Sequence, residues 1–179
     1  MNGKIYIQDK PFEEIIRSAY ESSRVECMGN LFGVRKNGFI WNVEQVHPIQ
    51  IADRFPTSIS TYDTFRGEWS FLNNHIGFFH SHVTSRESYD GVRLTLQPRA
   101  NFSAEDIKDI TLFPGKLELV IAIKRVKNRR RANQNPRFIS GYIEDKNRLY
   151  RFDIGACYNN SGFRRAELEI SDKMRRLVS

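Results

Sequence analysis

His80-Ser81-His82 ends an apolar run, Ile76-Gly77-Phe78-Phe79, in the middle of the chain. On a strand, side chains two residues apart point to the same face. His80 and His82 therefore project together, about 7 Å apart along the backbone for a rise of roughly 3.4 Å per residue. Two imidazoles at that spacing can converge on one metal ion, while Ser81 points the other way. A catalytic zinc site typically takes three protein ligands and keeps one position for water. Asp106 is the candidate third ligand. It falls in the first turn of a helix expected from the stretch SAEDIKDITLF, where a carboxylate also suits the helix dipole. The water then needs a base, and Glu26 is the candidate, because a carboxylate entering the apolar stretch VECMGNLFG is costly without a reason. Each residue also has a plainer reading. Glu26 could be a corner residue, Asp106 a helix-start charge, and Ser103 a simple N-cap.

The elements that must position these residues follow from periodicity. Lys4–Gln8 alternates and suits a strand. The segment from Asp9 to Ser23 places Phe12, Ile15, Ile16, Ala19 and Tyr20 on one helical face, with Pro11 near its start and Asp9 as a cap. Two strands joined at Lys36-Asn37-Gly38 read as a hairpin. Tyr62, Phe65, Trp69 and Leu72 are at helical spacing, which predicts a helix near 61–73. His75–His82 reads as a buried strand and 83–101 as an irregular excursion or small hairpin. Ser103-x-x-Asp106 signals a helix N-terminus. Strands are expected at 116–126, 136–145 and 148–156. Phe163, Ala166, Ile170, Met174 and Leu177 form one stripe, which predicts a C-terminal amphipathic helix over about 162–178. Helices alternating with strands imply an α/β layered domain over residues 1–179.

Composition sets the outer limits. The chain has 179 residues, 40% hydrophobic and 27% charged, enough for one domain with a core. No apolar run is long enough for a bilayer. The two cysteines, Cys27 and Cys157, make no disulfide framework, and the start MNGKIYIQDK carries no secretory apolar core. Both point to a reducing cytoplasm. Cys27 reads as a small buried residue facing away from Glu26. His47 and His75 receive no role. The net charge of +7 favours an anionic partner, nucleic acid or an acidic protein surface. The basic residues concentrate in 124–137 and 163–177, which also read as a polar hairpin loop and a solvated helix face.

The order Glu26-x-x-Gly29-x-Leu31-x-Gly33, then His80-Ser81-His82, then Ser103-x-x-Asp106, resembles the JAMM (MPN+) metalloprotease family. The resemblance covers about residues 4–125. It implies a curved mixed β-sheet flanked by helices in a three-layer-like, cytidine-deaminase-related α/β fold. It also implies Zn2+ held by His80, His82 and Asp106, with Glu26 shuttling protons and Ser103 stabilising the oxyanion. The implied activity is hydrolysis of an isopeptide or peptide bond at the C-terminal tail of a ubiquitin-like protein. A small-molecule or sulfur-carrier amide is a variant substrate. Two departures stand out: Val83 replaces the family's usual proline, and twenty residues, 83–102, separate His82 from Ser103, an insertion beside the site. A hydroxyl committed to capping a helix is also less free to serve an oxyanion. The competing readings are a non-catalytic MPN-like interaction module and a RadC-like nucleic-acid-associated protein. A homodimer or a larger complex fits any of them.

Overall fold

The computed structural model describes residues 3–36, 39–49, 53–54, 59–60, 72–89, 92–129 and 137–179. In chain order the elements are β1 (Gly3–Ile7), α1 (Asp9–Glu21), β2 (Met28–Lys36), β3 (Ile40–Pro48), β4 (Asp53–Arg54), β5 (Ile59–Ser60), β6 (His75–His82), β7 (Ser85–Tyr89), β8 (Val92–Leu96), α2 (Ala104–Thr111), β9 (Leu117–Val126), β10 (Phe138–Asp145), β11 (Arg148–Asn159), β12 (Phe163–Glu169) and α3 (Asp172–Val178).

The layered α/β expectation is overturned: the chain is mostly strand and closes a seven-stranded barrel. The ring runs β11-β12-β1-β3-β2-β6-β9 and returns to β11. Closure rests on the length of β11. One of its edges pairs with β9 from Leu149↔Val126 to Tyr158↔Leu117. Its other edge holds β10 through Phe138↔Gly155 and then β12 through Cys157↔Arg165. A strand that serves β9 on one side and two successive partners on the other leaves no open edge in the ring.

The interior is filled by alternate residues of the strands. Ile5 and Ile7, Leu31, Trp41 and Val43, Phe79, and Leu117 through Ile123 at every second position belong to one buried cluster. Phe12, Ile15, Ile16 and Ala19 of α1 join the same cluster, so this helix plugs the barrel instead of adding a layer. Its apolar face is the one the spacing predicts, except that Tyr20 is only half-buried. Gln8, not Asp9, is the N-cap residue; Asp9 instead accepts a hydrogen bond from Ser171 Oγ at 2.6 Å, which ties α1 to the start of α3. The hairpin of β2 and β3 forms as expected, though Asn37 and Gly38 lie outside the described residues.

The tail is the second correction. Residues 163–169 form β12, and only Asp172–Val178 is helical. Ala166, Leu168 and Ile170 are buried while Arg165 and Glu169 are exposed, a period of two that pairs β12 parallel with β1. Leu177, counted in the apolar stripe, is exposed. The helix expected near 61–73 lies outside the described residues up to position 71. The expected insertion contains the β7–β8 hairpin, paired Ser85↔Leu96 to Tyr89↔Val92. Val83 is buried in the main core, which accounts for an aliphatic residue there.

Tyr20 donates a hydrogen bond to Asp145, fastening α1 to the β10–β11 turn. That bond and burial push the Tyr20 hydroxyl up to about 12. A phenol whose folded pKa is raised favours folding below its unfolded value near 10, and the contribution disappears as pH rises through about 12. Titration of tyrosinate absorbance should therefore show one of the seven tyrosines lagging the rest, and Asp145→Asn should bring it back toward 10.

Candidate metal centre

His80, His82 and Asp106 come together, with one ligand atom from each lying within 4.8 Å of the others. This trio can hold a metal ion. His80 Nε2 is 3.1 Å from His82 Nε2 and 3.3 Å from Asp106 Oδ1, and His82 Nε2 is 3.8 Å from Asp106 Oδ2.

Each ligand is aimed by its element. β6 pairs antiparallel with β2 and parallel with β9, so His80 and His82 share one face, with Val120 and Ala122 as their register partners on β9. Both rings lie on the outside of the barrel wall, since the alternate residue Phe79 faces the interior. Asp106 arrives on α2, which is held at both ends. Ala100 and Phe102, just before it, pack on Val120, Ala122 and Phe138. At its C-terminus the Asn159 side-chain amide donates to the carbonyls of Ile110 and Thr111, at 3.1 and 3.0 Å. Ser103 and Asp106 form a reciprocal capping box: Asp106 N–H donates to Ser103 Oγ at 3.1 Å, and Ser103 N–H donates to Asp106 Oδ2 at 2.6 Å. The cap uses an oxygen lone pair of Ser103, while its hydroxyl also acts on the Asp106 carboxylate, so donation to a substrate oxygen requires that hydroxyl to turn away from Asp106.

The second ring nitrogens decide whether a cation fits. His80 Nδ1 donates to Glu118 Oε1 at 3.0 Å, a buried contact, and His82 Nδ1 donates to the Arg99 carbonyl at 3.0 Å. Both partners accept only, so each ring carries its proton on Nδ1 and turns the Nε2 lone pair toward the other ring and Asp106. Two lone pairs and a carboxylate converging on one point repel unless a positive charge sits among them. Burial alone lowers the pKa of His80, but the Asp106 and Glu118 carboxylates outweigh it and push the ring up to about 10. Asp106 moves the other way: burial favours its neutral form, yet His80 and Ser103 hold it well below the usual carboxylate range. His82, next to charged His80, is lowered by burial and by that charge. A proton on His80 thus does the work a divalent cation would do, and metal binding must expel it. The donor set and its outer partners fit a His-His-carboxylate metal site.

Glu26 is 7% exposed and precedes β2, just outside the strand. Ser81 pins its neighbour twice: Cys27 N–H donates to Ser81 Oγ at 2.9 Å, and Ser81 N–H to the Cys27 carbonyl at 2.8 Å. Continuing the Met28↔His80 pairing past Cys27 and Ser81 brings Glu26 opposite His82. Burial raises its carboxyl to about 7, the charge of His80 pulling down and that of Asp106 pushing up, so Glu26 senses both ligands. Cys27 is buried in the barrel core, away from the site.

Glu118, Ser81 and the Arg99 carbonyl were not singled out from sequence. Glu118 had a signal, since it is the lone acid in the apolar run Leu117–Ile123. Glu118→Gln, which keeps the shape and removes the charge, is expected to weaken zinc binding about 10- to 100-fold, read by competition with a chromogenic chelator. His75 is buried, lies 3.2 Å from Asn30 Oδ1, and is lowered to about 4 mainly by burial; it is a packing residue of the β2–β6 wall.

Among the described residues no helix is long and apolar enough to cross a membrane. No family model and no curated relative matches this chain. Among solved structures it is similar to protein DSY2949 from Desulfitobacterium hafniense, a solution structure from the Northeast Structural Genomics Consortium. The TM-score is 0.53 at 19% identity, over 93% of this chain and 92% of that one. At that identity the likeness shows a shared fold along nearly the whole of both chains.

Proposed function

We propose that the protein is a zinc-dependent hydrolase that cleaves an isopeptide or peptide bond at the C-terminal tail of a ubiquitin-like protein in the cytoplasm. The observation that carries the reading is the convergence of His80 Nε2, His82 Nε2 and an Asp106 carboxylate oxygen beside buried Glu26. Zinc, when bound there, supplies a Lewis acid that activates water and polarises a carbonyl near neutral pH. The chain's own groups do the rest. Glu26 takes a proton from water on its carboxylate and returns it to the leaving amine; a base held near pH 7 by burial suits both transfers. Ser103 turns its hydroxyl from the Asp106 carboxylate to the carbonyl oxygen as charge develops there. Glu118 and the Arg99 carbonyl hold the two imidazoles in the tautomer that binding needs. Scaffolding alone requires none of these orientations.

The test is elemental mass spectrometry of the purified protein and its His80→Ala variant, followed by cleavage of ubiquitin-like conjugates. About one zinc per chain, absent from the variant, is expected with cleavage that depends on it. Protein that takes up no zinc after reconstitution removes the reading.

A further inference from the structure

Lys124 follows Ala122 on the outer face of β9, and Ala122 is the register partner of His82. The basic end of β9 therefore begins about 7 Å from the row of His82, at roughly 3.3 Å per residue. Across the strand, Arg151 pairs with Lys124, and Tyr142 pairs with Arg151. Lys124, Arg125, Lys127, Arg151, Tyr142 and Gln97 line a cleft of about 390 Å³. Gln97 lies two residues before Arg99, whose carbonyl holds His82, so the cleft wall and the metal centre share one segment. A second cleft, about 900 Å³, continues past Arg125 and Lys127 to Lys146 and Arg148.

The acids of this region are engaged. Asp153 holds Arg151 at 2.9 Å, Glu144 lies 3.7 Å from Arg129, and Asp145 accepts from Tyr20. Among the described residues Lys124, Arg125 and Lys127 have no carboxylate partner. Tyr142 is 8% exposed and its ring lies under the Arg129 guanidinium at 5.6 Å, so among the described residues the cleft presents no open aromatic face on which a base could stack. Cations with no stacking platform among their described neighbours, at the mouth of an amide-cleaving centre, fit carboxylate side chains on an extended chain better than a nucleic acid.

We propose that the cleft cations Lys124, Arg125 and Lys127 bind an acidic peptide segment of the substrate, with Asp or Glu about two to four residues from the scissile bond, that range following from the shared rise of strand and extended substrate. The inference rests on the hydrolase reading for its orientation toward the metal centre and narrows the substrate to acidic tails.

The test uses zinc-loaded protein and three fluorescein-labelled probes. One is a short peptide with Glu at positions two to four on both sides of a central Gly-Gly bond. The second has Lys at those positions, and the third is an oligothymidylate of similar length. Anisotropy is read at low and at physiological salt, and cleavage of the peptides is followed separately. The Glu peptide is expected to bind tightest, more weakly as salt rises, and about tenfold more weakly in Lys124→Glu/Lys127→Glu. A control reversing Lys10 and Lys36, exposed on other elements, keeps the same net charge and should bind as the parent does. Equal affinity for the Glu and Lys peptides overturns the proposal, and so does an equal loss in the control. Tighter binding of the oligothymidylate overturns it in favour of nucleic acid. Groove-dependent binding of the Glu peptide without cleavage of either peptide supports the cleft assignment and removes the hydrolase reading.

Discussion

Glu26→Gln is expected to retain zinc and to lower kcat about 10²- to 10⁴-fold, the usual worth of a positioned general base. The amide matches the carboxylate in size and keeps the backbone that Ser81 grips through Cys27. It cannot take a proton from water. Glu26 lies outside the ligand trio, so zinc content by elemental mass spectrometry should match the parent. The variant should also bind substrate as well as the parent, placing the loss in kcat and not in KM. A structural corner residue predicts the opposite pattern, with kcat unmoved and only thermal stability changed. Unaltered turnover in a zinc-loaded Glu26→Gln protein would falsify the base assignment outright.

The trio was legible because its signals are local. His80 and His82 need only a period of two, and Ser103 and Asp106 need only a helix start. The strand and the capping box both form where those patterns place them. Glu118 obeys the logic that singled out Glu26, a carboxylate in an apolar run, and could have been found by applying it evenly. The tail failed for a different reason. Ala166, Ile170 and Met174 are four apart and satisfy a helix, yet the first two also satisfy a strand. Leu168, on the alternation and off the stripe, was the residue that separated the two, and it is buried in β12. Barrel closure was not legible at all. It depends on Arg148–Asn159 pairing with β9 on one edge and with β10 and β12 on the other, which no periodicity within one segment encodes. Helix count misled in the same direction, because α1 reads as a layer helix by its apolar face, while that face points into the barrel.

Gly77→Ala tests whether the barrel wall and the metal centre are one mechanical unit. Gly77 faces Leu117 where β6 meets β9, and a Cβ there would lie 1.9 Å from the Leu117 carbonyl oxygen and 2.7 Å from its carbon. The obstacle is backbone, so no rotamer relieves it and the strands must separate. Overpacking of side chains costs about 1–3 kcal/mol, and a clash with main chain belongs at or above the top of that range. For a chain of this size that corresponds to a fall in Tm of roughly 6–12 °C. The same displacement reaches the site, because β6 carries His80, β9 carries Glu118, and their 3.0 Å contact spans the joint. Zinc affinity should therefore fall together with Tm in Gly77→Ala, whereas Glu118→Gln should lower affinity with a smaller change in Tm. A Gly77→Ala protein with lowered Tm and parental zinc affinity would show that α2 and β6 hold the ligands without help from the β9 joint. Parental values of both would mean that β6 and β9 do not meet as closely as their register requires.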